Sequence, residues 1–290
     1  MTDATHPLRL RPEAEGDVTL SLYPAADDGE AVSDGERGGV LVLPGGGYGV
    51  LADHESEPIA RAWNARGFDA AVLRYRLGSA GHRHPRMLQD ARLALLTVRQ
   101  HPAFSARRWA ILGFSAGGHL ASTLLVHHDQ DLEPGQAADP AARPDAGILC
   151  YPVIEMEHDA RRHAASRDNL LGHDAPEALR RQLSTWRHVS PQTPPTFLWH
   201  TADDAAVPMS NSLQFAQACR DAGVPTELHV YESGRHGLGL GEGTAVEGWF
   251  DLACAFLQRH LRQNAARPSA EKPLGRRSTP TLAQPSPSVS

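Results

Sequence analysis

A serine flanked by glycines lies between an apolar run and a helix-like run, in the stretch ILGFSAGGHLAS at residues 111–122. The residues before it are typical of a buried strand, and the leucines after it recur at helical spacing. Gly113 and Gly117 leave room for the strand and helix backbones to approach closely. The pattern is a G-x-S-x-G nucleophile elbow, which makes Ser115 a candidate nucleophile. The alternative is a glycine-rich strand-to-helix turn that carries no chemistry.

A serine hydroxyl becomes a good nucleophile only when a base takes its proton and a carboxylate orients that base. In hydrolases with this elbow the chain order is Ser, then Asp or Glu, then His. The stretch FLWHTADDAAVP places Asp203 and Asp204 just after an apolar strand, and YESGRHGLGL places His236 in a glycine-rich loop. Each residue alone is explained equally well as a surface loop residue. The order Ser115, Asp203, His236 nevertheless matches a catalytic triad.

Acyl transfer also creates an oxyanion, which needs preorganised N–H donors. The backbone of Ala116, at the start of the elbow helix, is one predicted donor. The second donor is expected from the loop VLPGGGYG, residues 42–49, whose glycines let the backbone approach a substrate closely. A phosphate-binding loop is the alternative, but no G-x-x-x-x-G-K-[ST] pattern follows.

These residues require a scaffold in which strands and helices alternate. Apolar runs predict strands, and apolar residues at steps of three and four predict helices. The predicted strands cover residues 17–24, 38–44, 68–75, 107–114, 145–153, 194–200 and 225–232. Besides the elbow helix, helices are predicted at 55–67, 85–101, 210–222 and 246–261. This alternation predicts an α/β fold with a mostly parallel sheet covered on both faces.

The predicted domain covers residues 15–262 and follows an N-terminal extension at 1–14. Residues 153–191 have few strand signals and are polar and arginine-rich, so they are predicted to form an insertion over the sheet edge. Residues 263–290 are rich in Pro, Ser, Ala and Arg. We expect this tail to be disordered, because it buries too little apolar surface.

Composition narrows the functional classes. The 290 residues are 41% hydrophobic and 21% charged with a net charge of −6, which argues against nucleic acid as a partner. The three cysteines and sixteen histidines show no metal-ligand spacing, so no metal or other cofactor is predicted. No apolar run has membrane-spanning length, and the N-terminus lacks a secretory apolar segment. We expect a cytoplasmic enzyme whose partner is a small-molecule substrate.

The chain resembles the α/β-hydrolase superfamily over about residues 15–262, and within it the small acetyl-xylan esterases or endo-xylanase B-like esterases. The resemblance depends on the motifs LPGGGYG, YRLG, HPRMLQDARLAL, GFSAGGHLAS, PPTFLWHTADDAAVP and GRHGLGL.

The resemblance implies roles for individual residues. The acid is implied to be the first aspartate of the ADD pair, Asp203. The oxyanion donors are implied to be Gly45 and Gly46, with Gly47 as an alternative. The sequence departs from the pattern of many esterases at Pro44, which stands where those proteins have histidine before the glycines.

The implied function is a serine carboxylesterase that hydrolyses short acyl esters, acetyl esters above all, of sugars or similar alcohols. The polar insertion fits this substrate class, because a lipase lid would present an apolar helix face. An amide or peptide hydrolase with the same triad is the alternative. The complete Ser, Asp and His set argues against a non-catalytic binding protein.

Five further residues have a chemical and a structural interpretation. Tyr48 either stacks on a sugar ring or packs its loop, and His54 and Glu55 either line the pocket mouth or begin a helix. We include Tyr48 and His54 as predicted substrate-binding residues. His119 is expected to be a core histidine and Asp90 a structural carboxylate near a helix start.

Overall fold

The computed structural model describes residues 7–12, 16–26, 38–132, 138–158 and 162–261. Its strands are β1 (Leu8–Arg9), β2 (Thr19–Tyr23), β3 (Gly38–Leu43), β4 (Asp69–Arg74), β5 (Arg108–Phe114), β6 (Ala146–Cys150), β7 (Thr196–Thr201) and β8 (Thr226–Tyr231). Its α-helices are α1 (Glu57–Asn64), α2 (Arg86–Gln100), α3 (Ser115–Val126), α4 (Ala164–Leu171), α5 (Glu177–Gln182), α6 (Ser210–Asp221) and α7 (Trp249–Leu261).

The strands form one eight-stranded sheet in the order β1-β2-β4-β3-β5-β6-β7-β8. The pairs β1/β2 and β2/β4 are antiparallel, and every pair from β4/β3 to β7/β8 is parallel. The prediction of a mostly parallel sheet is therefore confirmed. Because the carboxyl ends of parallel strands share one edge, the loops after β3, β5, β7 and β8 meet there.

The sheet begins earlier in the chain than predicted. Leu8 and Arg9 pair with Leu20 and Thr19, so part of the predicted N-terminal extension is an edge strand of the domain. The predicted domain start at residue 15 is therefore wrong, because a two-residue strand gives almost no alternating pattern. The predicted tail at 263–290 lies outside the described residues.

Each face of the sheet carries its own hydrophobic core. In β3, Val40 and Val42 pack on one face, whereas Leu41 and Leu43 pack on the other, as the alternation of a strand requires. Helices α2, α3 and α6 cover the face of Leu41, and helices α1 and α7 cover the opposite face. The continuous apolar runs in the sequence thus reflect burial on both faces.

The predicted insertion forms a cover over the carboxyl edge of the sheet. Its described residues hold α4, α5 and a short 3₁₀ helix at Thr185–His188, and no strand. The Val153 amide donates to the Ser115 carbonyl at 3.0 Å, and Asn169 Nδ2 donates to the Gly47 carbonyl at 2.9 Å. The insertion therefore lies against both the elbow and the glycine loop.

Within the described ranges, no helix is long and apolar enough to cross a lipid bilayer.

Candidate active site

The elbow places Ser115 at the first position of α3, directly after β5. Its φ of 51° lies in the left-handed region, which is costly for a residue with a side chain. The backbones around it are in close contact. A Cβ on Gly113 would lie 2.1 Å from the Gly117 carbonyl oxygen, and one on Gly117 would lie 2.1 Å from the Leu43 carbonyl oxygen. The two glycines are required by these contacts.

Ser115, His236 and Asp204 form a continuous hydrogen-bonded chain. His236 Nε2 lies 2.8 Å from Ser115 Oγ, and His236 Nδ1 lies 2.6 Å from Asp204 Oδ2. Because a carboxylate accepts, Nδ1 carries the proton and Nε2 is left to accept the serine hydroxyl proton. Ser115 is buried, and the His236 side chain is 21% exposed. The arrangement is suited to general-base activation of the serine.

The aspartate that is hydrogen-bonded to His236 is Asp204, so the prediction of Asp203 as the acid is wrong. Asp203 Oδ1 instead accepts a hydrogen bond of 2.8 Å from the Gly234 amide, in the loop that carries His236. The two side chains diverge from the turn after β7, and only Asp204 faces the imidazole. Asp203 thus ties the two loops together from the exposed side.

Asp204 is held as a carboxylate. Its Oδ1 accepts from the amides of Ala206 and Val207 at 2.9 Å each, and its Oδ2 lies 3.3 Å from His200 Nε2. Burial alone would raise the pKa of Asp204, but hydrogen bonds from His200, His236 and the Val207 amide hold that pKa well below its usual range. The carboxylate is therefore charged and fixed before any substrate arrives.

The glycine loop supplies fewer oxyanion donors than predicted. The Gly45 amide donates to Glu55 Oε2 at 2.8 Å, so the prediction of Gly45 as a donor is wrong. The Gly46 amide has no hydrogen-bond partner within the described part of the chain. The Ala116 amide lies in the first turn of α3, where amides lack an intrahelical acceptor. Gly46 and Ala116 therefore remain as predicted donors, with Gly47 as the alternative to Gly46.

The two predicted substrate-binding residues differ in accessibility. Tyr48 is fully buried, and its hydroxyl lies 2.8 Å from His119 Nδ1. The prediction that its ring stacks on a sugar is therefore wrong, because the loop fold packs the ring inward. The His54 side chain is 56% exposed, and its Nε2 donates to the Gly237 carbonyl at 3.1 Å. His54 thus lies beside the His236 loop, and its contact with substrate stays a prediction.

His119 and Asp90 have the structural roles that were expected. His119 Nε2 donates to the Leu183 carbonyl at 2.8 Å, and burial lowers the pKa of His119 to about 4. Asp90 pairs with Arg76 and Arg11 at 2.8 and 2.7 Å and accepts from the Arg76 amide. Both side chains are buried and have hydrogen-bond partners.

Three polar residues next to this site make contacts that sequence analysis did not predict. Glu55 and Tyr151 share a hydrogen bond of 2.6 Å, and the Tyr151 ring centroid lies 4.9 Å from that of His236. His163 caps α4, and its Cε1 would lie 3.8 Å from a Cβ on Gly47. Glu55 had the signature of an ordinary acidic residue at a helix start. No local pattern distinguishes Tyr151 or His163 from core and surface residues.

Nowhere in the described ranges do three or more His, Cys, Asp or Glu side chains converge as metal ligands.

The chain is similar to proteins that are named as esterases and xylanases. An "Endo-1,4-beta-xylanase B" from Butyrivibrio fibrisolvens is 35% identical over 223 residues, covering 74% of this chain and 35% of that protein. An "Acetylxylan esterase" from Xylanibacter ruminicola is 34% identical over 258 residues, covering 83% of this chain and 48% of that protein. The chain thus spans less than half the length of either relative.

One similar protein of known structure aligns with this chain over almost its whole length. The acetyl ester-xyloside bifunctional hydrolase from Caldicellulosiruptor lactoaceticus is 37% identical, with a TM-score of 0.76 over 88% of this chain and 96% of that one. The BD-FAE family matches residues 32–219, which is more than half of the sequence. The chain therefore has the α/β-hydrolase fold and belongs to the BD-FAE family.

Proposed function

We propose that the protein is a serine carboxylesterase that removes short acyl groups, acetyl above all, from sugars or similar alcohols. The observation that carries this proposal is the hydrogen-bonded chain from Ser115 Oγ through His236 to Asp204. These three side chains lie at the carboxyl edge of a parallel sheet, where ligands bind in open α/β folds.

In the proposed acylation, Ser115 Oγ attacks the ester carbonyl carbon while His236 Nε2 takes the hydroxyl proton. Asp204 stabilises the resulting imidazolium through the bond at Nδ1. When the tetrahedral intermediate collapses, the carbon–alkoxide bond breaks and Nε2 gives its proton to the leaving oxygen. The alcohol departs and the acyl group stays on Ser115.

The carbonyl oxygen becomes an oxyanion during this attack. We assign its stabilisation to the amides of Ala116 and Gly46. The glycine loop lies against the serine, because a Cβ on Gly45 would be 3.1 Å from Ser115 Cβ. Removal of a single oxyanion donor lowers kcat by about 10²- to 10³-fold in a comparable enzyme.

Deacylation repeats the same steps with water. His236 Nε2 takes a proton from the water, whose oxygen attacks the acyl carbon, and then returns the proton to Ser115 Oγ. The carboxylic acid leaves and the serine is restored.

The substrate class rests on the relatives and on the cover over the site. Two similar proteins are an acetylxylan esterase and an acetyl ester-xyloside bifunctional hydrolase. The cover presents His163, Ser166 and Asn169 toward the glycine loop, so it is polar where a lipase lid is apolar. Polar side chains suit hydroxyl-bearing alcohols better than long acyl chains.

An ester panel tests the proposal. With p-nitrophenyl esters from two to twelve carbons, we expect kcat/KM to be highest for acetate and propionate and to fall steeply by octanoate. Each extra methylene gains about 0.8 kcal/mol only where apolar wall is available, and overpacking costs about 1–3 kcal/mol. Acetylated xylo-oligosaccharides should also release acetate. A maximum at eight carbons or beyond, or turnover of anilides without esters, would contradict the proposal.

A further inference from the structure

Glu55 is a buried carboxylate that joins two loops of the active site. Its side chain is 3% exposed, although burying a carboxylate is costly unless its oxygens are well hydrogen-bonded. Oε2 accepts from the Gly45 amide at 2.8 Å, and Oε1 accepts from the Tyr151 hydroxyl at 2.6 Å. His54 Nε2 lies 3.7 Å from Oε1, which is longer than a hydrogen bond. The carboxylate is therefore held mainly by the two loops' donors.

Tyr151 carries the connection onward to the loop of the catalytic histidine. Its hydroxyl accepts from the Gly239 amide at 3.0 Å while it donates to Glu55. Burial raises the pKa of Tyr151 well above its usual value, so the hydroxyl keeps its proton. We call these contacts the Glu55–Tyr151 bridge: the two side chains with the amides of Gly45 and Gly239.

The bridge also supports the imidazole itself. The rings of Tyr151 and His236 meet edge to face, with centroids 4.9 Å apart and an interplanar angle of 66°. Tyr151 adopts this position with a φ of 37°, a strained value for a tyrosine. Such strain persists only where the surroundings hold it, and it clusters at active sites.

From these contacts we propose that Glu55 and Tyr151 are positioning residues, which fix the oxyanion loop and the His236 loop relative to each other. Glu55 occupies the Gly45 amide and so sets the orientation of the adjoining Gly45–Gly46 peptide, leaving the Gly46 amide for the oxyanion. The hydrogen bonds of the two side chains go to each other and to the amides of Gly45 and Gly239 rather than to Ser115 or His236, so the effect on catalysis is geometric. The inference rests on the proposed serine esterase function.

The test compares Glu55→Gln and Tyr151→Phe with Glu57→Gln. Glutamine keeps the size of Glu55 but offers one acceptor oxygen for two donors. Phenylalanine keeps the ring beside His236 and removes only the bridging hydroxyl. Glu57 is an exposed carboxylate in the first turn of α1, paired with Arg61, and is a matched control close in sequence.

The readouts are kcat and KM on p-nitrophenyl acetate, the inhibition constant of a trifluoromethyl ketone, and the melting temperature. The ketone adds to the serine as a tetrahedral oxyanion and so reports on transition-state geometry. Misplacement of reacting groups by about 1 Å costs about 10²-fold. We therefore expect kcat to fall by about 10- to 100-fold in both variants, with KM unchanged. The inhibition constant of the ketone should rise by a similar factor. Glu57→Gln should match the wild type in each readout.

Two results would overturn the inference: wild-type kcat in Tyr151→Phe, or a loss of kcat without loss of ketone affinity. If Glu55→Gln fails to fold, Tyr151→Phe decides alone. Failure of the wild type itself to hydrolyse p-nitrophenyl acetate is a different result, which would reject the proposed function and this inference with it.

Discussion

The elbow at Ser115 and the turn at Asp204 present side chains to the same imidazole, but different forces hold them. The elbow is fixed by backbone against backbone, with Gly113 and Gly117 at distances that exclude any side chain. The acid turn is fixed by a side chain, since Asp204 accepts two amides of its own turn and two imidazole nitrogens. The geometry of the elbow thus depends on the absence of side chains at its two glycines. The geometry of the acid turn depends on charge and hydrogen bonds.

This difference predicts how each region fails. Added volume at the elbow must displace strands and loops, so the protein loses stability together with activity. A neutral side chain at the acid turn adds no volume but removes the charge that the surrounding donors stabilise, so activity falls without any displacement of the backbone by overpacking. Substitutions matched to each region separate the two kinds of failure.

The largest effect is expected from Asp204→Asn compared with Asp203→Asn. Asparagine at 204 presents an amide that favours the wrong imidazole tautomer and no longer stabilises the imidazolium, a change worth about 10⁴ in kcat. Asparagine at 203 still accepts from the Gly234 amide, so we expect kcat to stay within a few-fold of the wild type. Steady-state kinetics on p-nitrophenyl acetate measure both.

The melting temperatures of the two variants serve as controls for folding. Equal losses of kcat in both variants, or a greater loss in Asp203→Asn, would contradict the assignment of Asp204 as the acid.

An intermediate effect is expected from Gly117→Ala. Its methyl group would meet the carbonyl oxygens of Leu43 and Pro44 at 2.1 and 2.5 Å, just before the glycine loop. Overpacking of this kind costs about 1–3 kcal/mol, and here it also displaces the oxyanion loop. We expect a lower free energy of unfolding in urea and a lower kcat.

Gly248→Ala is the matched control, because a Cβ at that position would meet no atom within 4 Å. Wild-type stability in Gly117→Ala would show that the elbow is less tightly packed than the structure indicates.

The last effect concerns stability rather than kcat, and it is expected at His119 in α3. Its folded pKa of about 4 is below the unfolded value of about 6.5, so the unfolded state binds the proton first. Its contribution is therefore complete above about pH 6.5 and is lost as the pH falls toward 4, by roughly 3 kcal/mol. His119→Gln should reduce the difference in unfolding free energy between about pH 7 and about pH 4.5.

Burial lowers the pKa of His84 and of His127 to about 4 as well, so a residual pH dependence is expected in this variant. His173, with an 84% exposed side chain, provides the control substitution His173→Gln. An unchanged pH dependence in His119→Gln would contradict the argument.

The contrast between the elbow and the acid turn also explains which features could be predicted from the sequence and which could not. Strand and helix positions, the elbow and His236 follow from apolar periodicity and from glycines whose spacing has one structural use. The choice between Asp203 and Asp204 depends on which way a turn directs two identical side chains, and no local pattern encodes that direction. The wrong predictions for Gly45 and Tyr48 arose from tertiary partners, because Glu55 takes the amide and His119 takes the hydroxyl.

The central claim, that Ser115 carries the acyl group, is tested most directly by mass spectrometry of the enzyme quenched during turnover of p-nitrophenyl acetate. We expect an adduct with the mass of one acetyl group on the peptide that contains Ser115, and none in Ser115→Ala. That variant should also lose about 10⁴- to 10⁶-fold in kcat. An acetyl adduct on another residue, or more than a tenth of wild-type turnover in Ser115→Ala, would contradict the account.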